Sequence, residues 1–193
     1  MKDKIIQSFL DSADLKVRFA RENVDRIISV VEVITNAIKQ SNKIILFGNG
    51  GSAADAQHIA AEFVNRFLIE RPPLPALALT TDTSIITSIG NDADFSDIFY
   101  KQIIALGVKG DVAIGISTSG NSLNVIKAFQ IAKEMGIKTV GITGKNGGKI
   151  AKIVDYSLNV ASDSTPRIQE VHITIGHTIC EMVDYLLFPT ING

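Results

Sequence analysis

The chain has 193 residues, which corresponds to about one domain and is enough to bury an apolar core. Its 19 Lys and Arg residues nearly balance its 20 Asp and Glu residues, so no excess of positive charge favours sequence-independent binding to nucleic acid. The single cysteine, Cys180, excludes an internal disulfide.

Neither membrane insertion nor export is indicated. No apolar run approaches the ~18 residues needed to span a bilayer. Charges also interrupt the N-terminal segment, where a signal peptide would be apolar. We therefore expect a cytoplasmic protein that acts on a small molecule, with no nucleic-acid or membrane partner.

The N-terminal segment, residues 1–40, has a helical pattern. Residues 3–40 contain no glycine or proline and place apolar side chains at helical spacing, as at Val24, Ile27 and Val31. The pattern predicts two helices in this segment.

From Lys43 onward, short β-branched runs alternate with helical stretches. The runs are KIILFG, ALALTTD, DVAIGIST, KTVGITG and YSLNV. Strands without polar alternation are typical of a parallel sheet covered by helices on both faces. We expect a single domain over residues 1–193 with a doubly wound α/β fold, a five-stranded parallel sheet and N-terminal helices. A final helix is predicted from Pro166 to about Leu187, with Thr165 as its N-cap.

In such a sheet, ligands bind at the carboxyl ends of the strands. The segment GNGGSAAD follows the first predicted strand and satisfies G-x-G-x-x-A with Gly48, Gly50 and Ala53. A dinucleotide site would also need an acidic residue at the end of the second strand. Glu70 precedes that strand and Asp82 comes late, so a plain strand-to-helix turn is favoured on the glycines alone.

The loop after the third predicted strand, STSGNS, groups four hydroxyl side chains at the start of a helix. Hydroxyl and backbone N–H groups donate hydrogen bonds to phosphate oxygens, and the helix dipole adds a favourable field. Helix capping explains one or two hydroxyls but not four. No Gly-Lys-Ser/Thr follows, so a P-loop is unsupported. The loop predicts a phosphate site formed by Ser117, Thr118, Ser119 and Ser122.

Two helices carry candidate ligands. His58 and Glu62 are four residues apart, which places both on one helix face within reach of one metal ion or substrate. A solvated pair without a functional role is an equally good interpretation of this spacing. The final helix adds Gln169 and His177, together with His172, on an apolar background where a lone histidine is usually a core residue. Cys180, on the same helix, is interpreted as packing because nothing marks it as a reactive thiolate.

Taken together, five segments resemble the sugar isomerase family, and within it the bacterial sedoheptulose 7-phosphate isomerases. They are GNGGSAADAQHIAAE, GND, GISTSGNS, GITGKNGGKIA and RIQEVHITIGH, and they occur in order over nearly the whole chain. The resemblance implies a homotetramer that converts sedoheptulose 7-phosphate to D-glycero-D-manno-heptose 7-phosphate, towards ADP-heptose and surface glycans such as lipopolysaccharide. It also implies one zinc ion per subunit, with the ligands His58, Glu62, Gln169 and His177.

The same resemblance implies substrate contacts in several loops and helices. These fall on Asn49, Gly50, Gly51, Ser52, Glu62, Asn91, Asp92, Ser117, Thr118, Ser119, Ser122 and Gln169. Asn91 and Asp92 on their own indicate only a polar turn between helical segments. Aldose–ketose isomerisation removes a proton next to a carbonyl while a second group manages the proton on oxygen. We assign Glu62 as the base that forms a cis-enediol, His177 as the acid, and Asp92 as an assisting residue, with zinc as a Lewis acid.

A non-catalytic alternative comes from the segments NRFLIERPPLPALAL, YKQIIALG and LLFP, which also resemble the replication-initiator-associating tetramers of the same family. As the resemblance has it, those binding proteins keep neither the acid at the position of Glu62 nor the histidine at that of His177. This chain has both, so the isomerase is preferred. Pro166 is a departure, because isomerases can carry an acidic residue just before the Arg-Ile-Gln motif.

The spacing of Gln169 and His177 bears on the oligomer. Eight residues of regular helix give about 12 Å of rise and about 80° of rotation. Zinc bonds to nitrogen and oxygen are only about 2.0–2.2 Å long, so one straight helix hardly supplies both ligands. Either the helix start is distorted or a neighbouring subunit supplies one ligand. We favour the neighbour, which predicts active sites shared between subunits.

Overall fold

The computed structural model describes residues 1–189, so the last four residues of the predicted domain 1–193 lie outside the described residues. Within the described residues, five parallel strands form one sheet flanked by helices, which confirms the predicted doubly wound fold. The strands are β1 Ile44–Gly48, β2 Ala76–Ala78, β3 Val112–Ser117, β4 Lys138–Gly144 and β5 Tyr156–Val160. The helices are α1 Lys2–Lys39, α2 Gly51–Val64, α3 Thr83–Asp92, α4 Ile98–Leu106, α5 Leu123–Glu134, α6 Ile150–Ile153 and α7 Thr165–Leu187.

The strand order, β2-β1-β3-β4-β5, positions the candidate site. Helices α1, α2 and α7 pack on one face of the sheet, around a core that includes Ile34 and Phe63. Helices α4 and α5 pack on the other face, around Phe47, Phe99 and Phe129. Because β1 leads to one face and β3 to the other, the chain diverges at the carboxyl ends of these two neighbouring strands. That divergence opens the crevice in which doubly wound proteins bind their ligands.

The N-terminal segment corrects one prediction, because α1 is a single helix of 38 residues where the sequence indicated two. No glycine or proline interrupts it. Its second half is also supported by tertiary packing, since Val30, Val31 and Ile34 are buried and the helix lies against α7 and β5. In residues 1–189, no helix is both long enough and apolar enough to cross a membrane.

The final helix agrees with its predicted extent to within one residue and corrects its cap. The backbone N–H of Ile168 donates to the carbonyl of Ser164 at 2.9 Å. Ser164 therefore stands at the N-cap, and Thr165 is the first helical residue. Pro166 lies in the first turn, where its missing N–H leaves no hydrogen bond unmade.

Candidate active site

Helices α2 and α7 bring three metal-ligand side chains together within one chain. The Nε2 atom of His58 lies 2.9 Å from Nε2 of His177 and 3.3 Å from Oε1 of Glu62. The ligand atoms of the three residues all lie within 4.8 Å of one another. We call these three residues the His–Glu–His cluster. The side chain of His58 is about half exposed, so the cluster is open to a ligand.

Close packing of the two helices explains this convergence. At Gly176, an added Cβ atom would lie only 2.4 Å from Cδ1 of Ile59. The missing side chain therefore lets α7 approach α2 until Ile59 fills the space. His58 and His177 are the sequence neighbours of these two residues, which is why their rings meet.

The donor set fits a zinc ion. Two imidazole nitrogens and one carboxylate oxygen are ligands that zinc prefers. Around a tetrahedral zinc ion with bonds of about 2.0 Å, ligand atoms lie about 3.3 Å apart. The separations of 2.9 Å and 3.3 Å around Nε2 of His58 are close to that value.

Gln169 lies at a different level of the helix pair. Its Nε2 atom is 2.5 Å from the position that a Cβ on Gly51 would occupy, at the start of α2. His177, a member of the His–Glu–His cluster, lies about 12 Å further along α7. This corrects the shared-site hypothesis in one respect, because His177 meets Glu62 within one chain and need not come from a neighbour. A ligand from a neighbouring subunit stays a prediction for Gln169.

Two residues near the cluster were missed by the sequence analysis. Asp55 precedes His58 by three residues on α2, and its Oδ2 atom is buried with no hydrogen-bond partner among the described residues. Burial raises the pKa of Asp55, against the opposing influence of His58 and His177. The spacing of Asp55, His58 and Glu62 was a usable signal, since all three share one helix face. The ring of Phe67 stacks on that of His177 at a centroid distance of 5.4 Å, but Phe67 lies in a loop, where no periodicity marks it.

Side-chain hydrogen bonds connect the glycine turn after β1 to α5, which packs on the opposite face of the sheet from α2. Gly50 has a φ of 55°, a left-handed conformation that glycine adopts without strain. Beside it, Asn49 and the buried Asn124 at the start of α5 exchange two side-chain hydrogen bonds of 2.8 Å and 2.9 Å. The adjacent Ser52 is buried in the first turn of α2. Asn124 is a second polar residue that the sequence analysis missed.

The hydroxyls of the serine loop are grouped as predicted. The Oγ atom of Ser117 lies 2.8 Å from that of Ser122 and 3.5 Å from that of Ser119. Ser122 precedes α5 as its N-cap residue, yet its side chain makes no capping hydrogen bond. Capping therefore does not explain this hydroxyl. Thr118, half-buried, completes the loop.

The polar segment after β2 differs from the prediction. Asn91 and Asp92 are exposed and form the end of α3, where the sequence indicated a turn between helical segments. The helix continues to Asp92, and the backbone N–H of Ala93 still donates to the carbonyl of Ile89. The Nδ2 group of Asn91 donates to Oδ1 of Asp92 at 2.7 Å. A role for either residue with substrate stays a prediction.

The two acidic residues considered for a dinucleotide have other structural partners. Asp82 caps α3 and accepts a hydrogen bond from the backbone N–H of Ile85 at 2.9 Å. Glu70 forms an exposed ion pair with Arg66 at 2.7 Å. The glycine turn therefore gains no ribose-binding acid from either of them.

His172 and Cys180 of α7 belong to the core, as predicted. His172 is fully buried, with Nε2 lying 3.0 Å from the carbonyl oxygen of Thr143. Cys180 is also fully buried, and burial raises the pKa of its thiol. A thiol with a raised pKa remains protonated, which agrees with a packing role.

Similarity to known proteins identifies the family. Residues 9–144 match the SIS domain family. Over 188 residues the chain is 54% identical to the phosphoheptose isomerase of Thermodesulfovibrio yellowstonii, covering 97% of this chain and 94% of that protein. The structure of phosphoheptose isomerase from Neisseria gonorrhoeae matches with a TM-score of 0.90 at 43% identity, covering 95% of this chain and 98% of that one. The structure of a phosphoheptose isomerase from Francisella tularensis gives a TM-score of 0.90 at 37% identity, covering 94% and 97%. The chain belongs to the SIS domain family and, within it, to the phosphoheptose isomerases.

Proposed function

We propose that this protein interconverts sedoheptulose 7-phosphate and D-glycero-D-manno-heptose 7-phosphate, in the cytoplasm, on the route to ADP-heptose and surface glycans. The observation that carries the proposal is the His–Glu–His cluster, which sets a carboxylate beside two imidazoles within 4.8 Å. Relatives named phosphoheptose isomerase at 54% identity over nearly the whole chain support the same activity. They do not favour the alternative of a non-catalytic replication-initiator-associating tetramer.

The chemistry follows from the two ionisable groups. Glu62 takes the proton from the first carbon of the ketose, and that electron pair forms the double bond of a cis-enediol. His177, as the acid, donates a proton to the carbonyl oxygen on the second carbon. Return of the carbon-bound proton from Glu62 to the second carbon, with transfer of the hydroxyl proton from the first carbon to His177, completes the aldose. Protons and electrons balance over the cycle.

The same residues would hold a zinc ion. His58, Glu62 and His177 supply three ligands of the expected kind, and we propose that Gln169 of a neighbouring subunit supplies the fourth. When bound there, zinc supplies Lewis-acid polarisation of the substrate carbonyl. Asp92 is proposed to assist proton movement.

Substitution of the base gives the decisive experiment. Glu62→Gln keeps the side-chain shape but removes the group that accepts the proton, so we expect turnover of sedoheptulose 7-phosphate to fall by at least a thousandfold, on the order of the largest general-base effects. Aldose formation is followed by NMR with and without a chelator, and binding of the sugar phosphate is measured separately. Binding should survive in the variant. A variant with a near wild-type rate would contradict the assignment of Glu62 as the base.

Substitution in the serine loop tests the phosphate site. We propose that Ser117, Thr118, Ser119 and Ser122 donate hydrogen bonds to the phosphate, an arrangement supported by their grouping at the start of α5. Ser119→Ala and Ser122→Ala should each raise KM by about tenfold or more while kcat changes less, because each removes one donor to a charged group, worth about 1.5–3 kcal/mol. An unchanged KM in both variants would place the phosphate elsewhere.

The assembly is proposed to be a homotetramer. The first half of α1 exposes Ile5, Ile6, Phe9 and Leu10 to solvent in the isolated chain, which supports burial of this helix against other subunits.

A further inference from the structure

The loop between α2 and β2 carries an arginine whose side chain is completely buried. The guanidinium of Arg71 donates to the carbonyl of Glu62 at 2.9 Å and to that of Phe63 at 2.7 Å, and it reaches the carbonyls of Asn65 and Pro72 at 3.2 Å. The last carbonyls of a helix lack partners inside the helix, and the helix dipole favours a cation beside them. Arg71 therefore fixes the last turn of α2, which is the turn that carries Glu62.

The same guanidinium also reaches α7. Its Nε donates to Oδ1 of Asp184 at 2.8 Å, and the side chain of Asp184 is only 5% exposed. Asp184 follows His177 by seven residues, about two turns of the same helix. One side chain thus connects the helix of the proposed base directly to the helix of the proposed acid.

The packing contact beside the His–Glu–His cluster is of a different kind. Ile59 packs against Gly176 through apolar atoms, and apolar attraction has no preferred direction along a helix axis. A guanidinium is planar and holds its acceptors in a fixed fork, so its hydrogen bonds resist sliding of one helix along the other.

We propose that Arg71 is the positioning residue of this active site, holding α2 and α7 in the axial register that sets the spacing of Glu62 and His177. The inference rests on the proposed function, since isomerisation depends on that pair. Arg71 itself contacts no reacting atom.

Two conservative variants and one control test the proposal. Arg71→Lys keeps the charge but loses the fork, and Asp184→Asn keeps an acceptor oxygen at nearly the same volume. The control is Asp111→Asn, which disrupts the 2.6 Å pair of the buried Asp111 with Lys43 at the amino ends of β1 and β3, away from the cluster. Each protein is assayed well below its Tm for kcat and KM with sedoheptulose 7-phosphate. Zn²⁺ is also titrated calorimetrically into the metal-free protein.

We expect Arg71→Lys and Asp184→Asn to lower kcat by at least tenfold with KM within twofold, because displacements near 1 Å can cost up to about a hundredfold in rate. The Kd for Zn²⁺ should rise at least tenfold in both variants. The control should lose thermal stability but keep kcat and the zinc Kd within twofold.

Several results would overturn the inference. A folded Arg71→Lys protein that keeps wild-type kcat and zinc affinity contradicts it. So does an Asp111→Asn control whose kcat and zinc affinity fall as much as those of Arg71→Lys. If Arg71→Lys does not fold, the kcat and zinc Kd of Asp184→Asn decide, and wild-type values in that variant contradict the inference. If wild-type protein does not turn over sedoheptulose 7-phosphate, the proposed function fails, while the zinc titrations still test the positioning role.

Discussion

At the scale of single residues, His172 gives the protein a defined response to acid. Burial lowers the pKa of His172 from 6.5 to about 4. Between these pH values the unfolded chain binds a proton that the folded chain does not, so folding becomes less favourable as the pH falls. We expect His172 to reduce the free energy of unfolding by about 2 kcal/mol between pH 7.5 and pH 5.

Urea unfolding of the wild type and of His172→Gln at both pH values measures this effect. The variant lacks the titrating group but keeps a side-chain donor for the carbonyl of Thr143. Between pH 7.5 and pH 5 its free energy of unfolding should therefore fall by about 2 kcal/mol less than that of the wild type. Equal pH dependence in the two proteins would assign the acid response to other groups.

The candidate site was only partly predictable at this scale. The pairing of His58 and Glu62 follows from helical spacing, which is local information. The approach of His177 depends on the packing of Ile59 against Gly176, a contact between residues more than a hundred positions apart, and no spacing encodes it. His177 could therefore be assigned only through the family resemblance. Phe67, in a loop, carried no signal of either kind.

At the scale of elements, the close contact of α2 and α7 can be tested by filling it. Gly176→Ala would place a methyl group 2.4 Å from Cδ1 of Ile59. Overpacking costs about 1–3 kcal/mol, against a gain of up to about 1 kcal/mol in helix propensity. We expect a net loss of about 1–2 kcal/mol in the free energy of unfolding and weaker binding of zinc. Ile59→Ala alone should also lower the free energy of unfolding. In the double variant Ile59→Ala/Gly176→Ala the losses of the two single variants should not add, because the smaller side chain makes room for the methyl group. Additive losses would contradict this account.

The elements themselves differed in how far the sequence determined them. The five strands were predictable because strands buried on both faces retain unbroken apolar runs, as in the IILFG of β1. The extent of α1 was not, since the number of helices in an uninterrupted helical pattern depends on what the helix packs against. Here α1 packs on α7 and β5, and no breaking residue interrupts it.

At the scale of the whole molecule, the first half of α1 should hold the proposed tetramer together. Phe9 is 75% exposed in the isolated chain. Because a charge at this position is costly to bury in an interface, Phe9→Glu should dissociate the tetramer and abolish activity. The matched control is Val108→Glu, at an exposed apolar residue outside α1. Sedimentation velocity with parallel assays reports both effects, and a tetrameric, active Phe9→Glu protein would show that α1 is not an essential interface.

The reciprocal amide pair of Asn49 and Asn124 has a consequence for the thermodynamics of binding. The pair joins the turn that leads into α2 to the first turn of α5, so two segments on opposite faces of the sheet are held at a fixed distance before any ligand arrives. Their conformational entropy is lost when the chain folds, not when a sugar phosphate binds. The proposed site is thus preorganised, and the free energy of each new hydrogen bond to a ligand contributes to affinity without first having to order these segments.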